Sequence, residues 1–137
     1  MLEMELNKIV IDEKRHDQLI VLKEKNGERM LPIVIGLPEA SAIKLKISGF
    51  VPPRPLTHDL LQSTIENLEA QVEKVVIDKL EENTFHAKLY LKTSASETRV
   101  VDARPSDSIA LAVRAKVPIF VEETILKHSE LFDKDGR

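Results

Sequence analysis

Val100-Val101-Asp102-Ala103-Arg104-Pro105-Ser106-Asp107-Ser108-Ile109-Ala110-Leu111-Ala112-Val113 changes pattern in its middle, and that change decides the fold. Its first residues, with Thr98 and Arg99, are rich in β-branched side chains and suit a strand from Thr98 to Ala103. Its last residues are Ala-rich and suit a helix. Between them, Pro105 holds Arg104 extended and Ser106 is a natural N-cap, so the helix opens from Asp107. Two carboxylates and a guanidinium, those of Asp102, Asp107 and Arg104, crowd this one turn.

The same organisation is found earlier in the chain. At an offset of 66 residues (8 to 74), Lys8-Ile9-Val10-Ile11-Asp12 aligns with Lys74-Val75-Val76-Ile77-Asp78, identical at four of five positions. Without a gap the offset also places Ile43, Leu45 and Ile47 over Ile109, Leu111 and Val113. Two copies of one supersecondary unit are expected, over about residues 4–49 and 70–115.

In the first copy, strands are expected at residues 4–12, 18–23 and 30–35, with Asn26-Gly27 turning the second into the third. A helix with proline in its first turn follows from Pro38 to Ser48 and stops at Gly49. Ile43-Lys44-Leu45-Lys46-Ile47 alternates like a strand, but its Ala-rich counterpart favours the helix. The Pro-rich connection Phe50 to Pro55 should run extended into a helix capped by Thr57 and ending near Ala70, with Leu61, Ile65 and Leu68 as its apolar stripe. The second copy supplies strands near residues 71–80, 85–92 and 98–103 and the helix from Asp107. A short strand at 118–121 and a helical turn at 123–127 follow. The fold is α+β: duplicated β-meander-plus-helix units forming a curved mixed sheet or half-barrel covered by helices.

The chain has 137 residues, of which 42% are hydrophobic, enough for one folded domain over residues 1–128 with a polar tail at 129–137. It has no cysteine, which excludes disulfides, thiolate metal sites and thiol nucleophiles and fits a cytoplasmic location. No apolar run reaches the roughly 20 residues of a membrane span. A net charge of −3 argues against a broad basic field for nucleic acid, but leaves room for an acidic nuclease in which a few arginines hold the phosphate.

Three stretches, Leu31-Pro32-Ile33-Val34-Ile35-Gly36, Pro52-Pro53-Arg54-Pro55-Leu56-Thr57-His58-Asp59-Leu60 and Asp102 to Ala112, occur in the order and at the distances that resemble the bifunctional nuclease domain family, formerly a domain of unknown function. The resemblance covers roughly residues 5–127. It implies hydrolysis of DNA and RNA phosphodiesters with little sequence preference, with nucleic acid as the substrate.

Each candidate residue has a chemical and a structural reading. Asp102 and Asp107 are sufficient to hold a magnesium or manganese ion, yet an acid in a helix's first turn is also stabilised by the dipole, by about 0.3–1 kcal/mol. Arg54 and Arg104, each aimed by a following proline, suit a bidentate grip on phosphate, or ion pairs with Asp59, Asp102 or Asp107. His58 can act as a general base near neutral pH, or sit at a helix start for structural reasons. Glu39 and Asp59 are first-turn acids of their helices, and Arg114 fits a salt bridge. In the nuclease reading His58, Asp102 and Asp107 are catalytic, Arg54 and Arg104 bind phosphate, and Glu39, Asp59 and Arg114 support them. Two rival readings are a non-catalytic binding or assembly module and an enzyme acting on a small anionic metabolite. Self-association, as a homodimer, would cover an open sheet edge or apolar face.

Overall fold

The computed structural model describes residues 1–12 and 14–127; the polar tail expected at 129–137 lies outside the described residues. Strands β1 (Leu2–Val10), β2 (Asp17–Glu24) and β3 (Met30–Gly36) form an antiparallel meander, followed by helix α1 (Leu37–Ile47). After the proline-rich connection come α2 (Thr57–Asn67), the strands β4 (Ala70–Glu81), β5 (Thr84–Thr93) and β6 (Thr98–Ala103) of a second antiparallel meander, α3 (Pro105–Ala115) and the short β7 (Ile119–Val121). Residues 123–127 are helical.

The seven strands form one open mixed sheet in the order β3-β2-β1-β7-β4-β5-β6. β7 is antiparallel to β1 and parallel to β4, so it joins the two meanders. The α+β class and the mixed sheet agree with the sequence reading; the sheet is open rather than a half-barrel. The order β-β-β-α occurs twice. However, the N-caps of α1 and α3, Gly36 and Arg104, stand 68 residues apart (36 to 104), so the ungapped offset of 66 does not carry into the helices.

Side-chain alternation puts the core on one face of the sheet. Ile20, Leu22, Leu31, Ile33 and Ile35 from the first meander, and Val75, Ile77, Ala87 and Leu89 from the second, belong to one buried cluster with Ala40, Ile43, Ile65, Ile109 and Leu111 of the helices. α3 is the central helix: eight of its eleven residues are buried, and it packs on α1, α2, β4 and β5. Its alanines at 110 and 112 are fully or almost fully buried and allow the neighbouring backbones to approach closely.

Three local expectations are corrected. Ser106 is not the N-cap of α3: Pro105, whose ring presets φ, occupies the first helical turn, which moves the cap back to Arg104. Thr57 likewise lies inside α2, whose N-cap is Leu56, and Asp59 accepts the Leu56 N–H at 3.0 Å. Of the stripe foreseen on α2 only Ile65 is buried; Leu61 and Leu68 are 41% and 76% exposed.

Candidate functional site

The starts of all three long helices are joined through charged side chains. Arg104, the α3 N-cap, donates from Nε to Asp107 Oδ2 at 2.8 Å. The other oxygen of Asp107 lies 2.9 Å from His58 Nε2, in the first turn of α2. Arg104 also reaches α1, its Nη1 standing 3.6 Å from Glu39 Oε1. Glu39 folds back over Gly36, where an added Cβ would come within 2.5 Å of Glu39 Oε2. That oxygen is buried without a hydrogen-bond partner. The result is a chain Glu39–Arg104–Asp107–His58 that crosses from α1 through α3 to α2.

A second tie runs beside it. Arg114, in the last turn of α3, has a side chain only 2% exposed and donates from Nε to Asp59 Oδ1 at 2.8 Å. Its Nη1 donates to the Ala110 carbonyl at 3.0 Å and its Nη2 to the Ala42 carbonyl at 3.4 Å. One guanidinium therefore touches all three helices, using the fixed fork that lysine lacks. Through Asp59 it also anchors the turn that carries His58, the preceding residue.

Asp102 does not join this network. Across the β5–β6 ladder it stands opposite Lys88, while Ala103 and Val101 stand opposite the core residues Ala87 and Leu89. Directly opposed residues share a face, so Asp102 projects from the side of the sheet away from the core. There Lys88 Nζ lies 3.3 Å from Asp102 and 3.5 Å from Asp78. An ion shared by Asp102 and Asp107 would require both to leave their present partners. Among the described residues no group of three or more His, Cys, Asp or Glu side chains is placed to hold a metal ion. As placed, Asp102 and Asp107 do not form one donor set for the magnesium or manganese ion expected from sequence.

Arg54 is exposed and makes no hydrogen bond or ion pair among the described residues. Sequence reasoning missed Lys88, which Asp102 shares with Asp78, although strand alternation at β6 carried the signal. It also missed the pocket walled by residues of the connection between α1 and α2.

Burial on its own would raise the pKa values of Asp107 and Asp59. The Arg104 and His58 hydrogen bonds outweigh it at Asp107, and the Leu56 N–H and Arg114 do so at Asp59, so both carboxyls end below their ordinary range. A carboxyl depressed on folding adds stability above its unfolded pKa, near 3.9, and loses it as pH falls through the folded value. Urea midpoints should therefore drop below about pH 4, and Asp107→Asn should flatten that decline. An unchanged acid slope in the variant would remove Asp107 from the linkage.

This arrangement, an α+β sheet whose helix starts bring a histidine, a carboxylate and an arginine together, has known relatives. Residues 20–134 match the bifunctional nuclease domain, and the chain belongs to that family. It is 43% identical over 127 residues to an uncharacterized protein of Mycobacterium tuberculosis, covering 93% of this chain and 75% of the relative. It is 30% identical over 118 residues to Bifunctional nuclease 2 of Oryza sativa subsp. japonica, covering 84% of this chain and 36% of that protein. Bifunctional nuclease 1 of Arabidopsis thaliana is 30% identical over 107 residues, covering 76% of this chain and 33% of the plant protein. The chain thus spans about a third of the plant proteins that carry the nuclease name.

Proposed function

We propose that this protein hydrolyses phosphodiester bonds of DNA or RNA with little sequence preference. The observation that carries this reading is the His58–Asp107 contact at 2.9 Å, with Asp107 fixed on its other oxygen by Arg104. Ionised Asp107 can only accept, so the shared proton sits on His58 Nε2, and in the neutral imidazole Nδ1 carries the lone pair. Nδ1 is then the base that takes a proton from water as the water oxygen bonds to phosphorus and the bond to the leaving sugar oxygen breaks. Arg104, whose side chain is 66% exposed, and Arg54 supply guanidinium forks for the phosphate oxygens. No step is assigned to Asp102 or to a metal ion.

The named plant relatives support the reading, and the cysteine-free sequence supports placing the activity in the cytosol. Among the described residues no helix is long and apolar enough to cross a membrane. A second reading, an assembly module working as a homodimer, is favoured by the mutual pairing of the candidate site's charged groups other than Arg54 and by the exposure of Val34, Val100 and Val101 on the two outermost strands.

Purified protein incubated with single- and double-stranded DNA and RNA, with and without chelator, distinguishes the two. Cleavage of unrelated sequences is expected, and its persistence in chelator would agree with the side-chain mechanism. No cleavage of any substrate, together with a concentration-independent dimer in sedimentation, would favour assembly and sink the nuclease reading.

A further inference from the structure

A pocket of about 300 Å³ opens between the start of α2 and the last turns of α1 and α3. Phe50, Val51, Pro53 and Leu56 give it apolar walls, and Asp59 and Arg114 give it a polar end. Phe50 and Val51 are 49% and 85% exposed, in a segment stiffened by Pro52, Pro53 and Pro55. An apolar wall held open to water favours a flat apolar body that covers it. The volume lies at the small end of the roughly 300–1,000 Å³ of ligand pockets, suiting one ring system and excluding a duplex.

The polar end determines which ring system fits. Asp59 accepts one hydrogen bond on each oxygen, from Arg114 Nε and from the Leu56 N–H, and each oxygen keeps a second lone pair. Its side chain is 29% exposed, whereas that of Arg114 is almost fully buried and already donates to three acceptors. Of the accessible polar groups in the lining, Asp59 can only accept, while the exposed Lys46 adds a cation that suits a phosphate. The carboxylate matches a base edge that donates through an amino group, the pairing by which carboxylates read cytosine N4. Phosphate-binding capacity is adjacent: Arg54 lies between two pocket-lining prolines, and His58 directly precedes Asp59.

We propose that the pocket is a subsite for one unpaired nucleobase bearing an exocyclic amino group, stacked on the Phe50–Pro53 wall and bonded to Asp59, with its phosphate toward Arg54. The proposal rests on the nuclease reading for the identity of the ligand. It gives single strands an advantage over duplexes, because pairing occupies the edge that Asp59 reads.

The test is a titration of isotopically labelled full-length protein, followed by amide chemical shifts, with cytidine 5′-monophosphate, uridine 5′-monophosphate and ribose 5-phosphate. At the base edge cytidine offers an amino group beside a bare N3, and uridine a carbonyl beside an N3–H, so only the cytidine nucleotide presents the exocyclic amino group. Shifts centred on residues 50–59, with Leu45, Lys46 and Arg114 of the same lining, and an affinity for the cytidine nucleotide about fivefold or more above the uridine nucleotide are expected, with ribose 5-phosphate weaker still. Phe50→Ala, an exposed change outside the charged network, should weaken both nucleotides about fivefold or more through lost stacking. Equal binding of all three compounds, or no shift within residues 50–59, would overturn the subsite. Shifts of those residues on concentrating the protein alone would assign the pocket to a second copy and also overturn it. Cleavage that persists while the titration fails leaves the nuclease reading standing; selective nucleotide binding without cleavage keeps the subsite and removes the nuclease reading.

Discussion

His58→Gln is expected to lower phosphodiester cleavage by about 10²–10⁴-fold, the usual contribution of a positioned general base, while leaving the fold intact. Glutamine retains a polar side chain at the start of α2 but has no titratable nitrogen. Asp107→Asn probes the same dyad differently. An asparagine amide can donate to Nε2, which would put the imidazole proton on Nδ1 and remove the lone pair that accepts the water proton. The loss should therefore appear in kcat, about tenfold or more, with KM less affected, because Arg54 and Arg104 still hold the phosphate. Initial-rate measurements on a single-stranded substrate, with circular dichroism to verify folding, would check both variants. Wild-type rates in the two together would eliminate the His58–Asp107 site.

Arg114→Leu is expected to have the largest effect on stability, a loss of about 3 kcal/mol. The guanidinium is nearly inaccessible and bonds to groups on α1, α2 and α3, so its removal leaves Asp59 and the Ala42 carbonyl short of a donor inside the helix layer. For a domain of this size the loss corresponds to a fall in Tm of roughly 10 °C. The Asp59→Leu/Arg114→Leu double variant should recover part of it, because two apolar groups avoid the part-buried carboxylate that the single change leaves without its guanidinium. Urea denaturation of the four proteins of the cycle gives the coupling directly. A cost below about 0.5 kcal/mol for Arg114→Leu would show that this tie does not hold the helices together.

Strand β6 was legible to the residue, because β-branched side chains end where Arg104-Pro105 interrupts them. α1 was harder to read. Its Ile43-Lys44-Leu45-Lys46-Ile47 alternates like a strand, yet the segment is helical, with Ile43 buried and Leu45 and Ile47 37% and 53% exposed. Alternation indicates a strand only when every second residue is covered, and here the covering surface is absent. The salt-bridge reading of Arg104 and Arg114 was available from sequence, but their partners were not fixed by it. Arg114 and Asp59 lie 55 positions apart, and only the packing of α2 against α3 brings them together. Asp102 and Asp107, five positions apart, looked like a pair. The strand pleat separates them by sending Asp102 to the outer face with Lys88, while the helix turns Asp107 toward His58.

The three-residue strand β7 also bears on how the chain folds. Each meander is made of neighbours in sequence, whose contacts close short loops and form quickly. β1 and β4, by contrast, have no pairing with each other and meet only through Ile119, Phe120 and Val121. During synthesis both strands keep an open backbone edge until those residues emerge, the stage at which a partly made chain is most prone to pair with another. Completion of the sheet is therefore a late, long-range step set by a segment far downstream of β1.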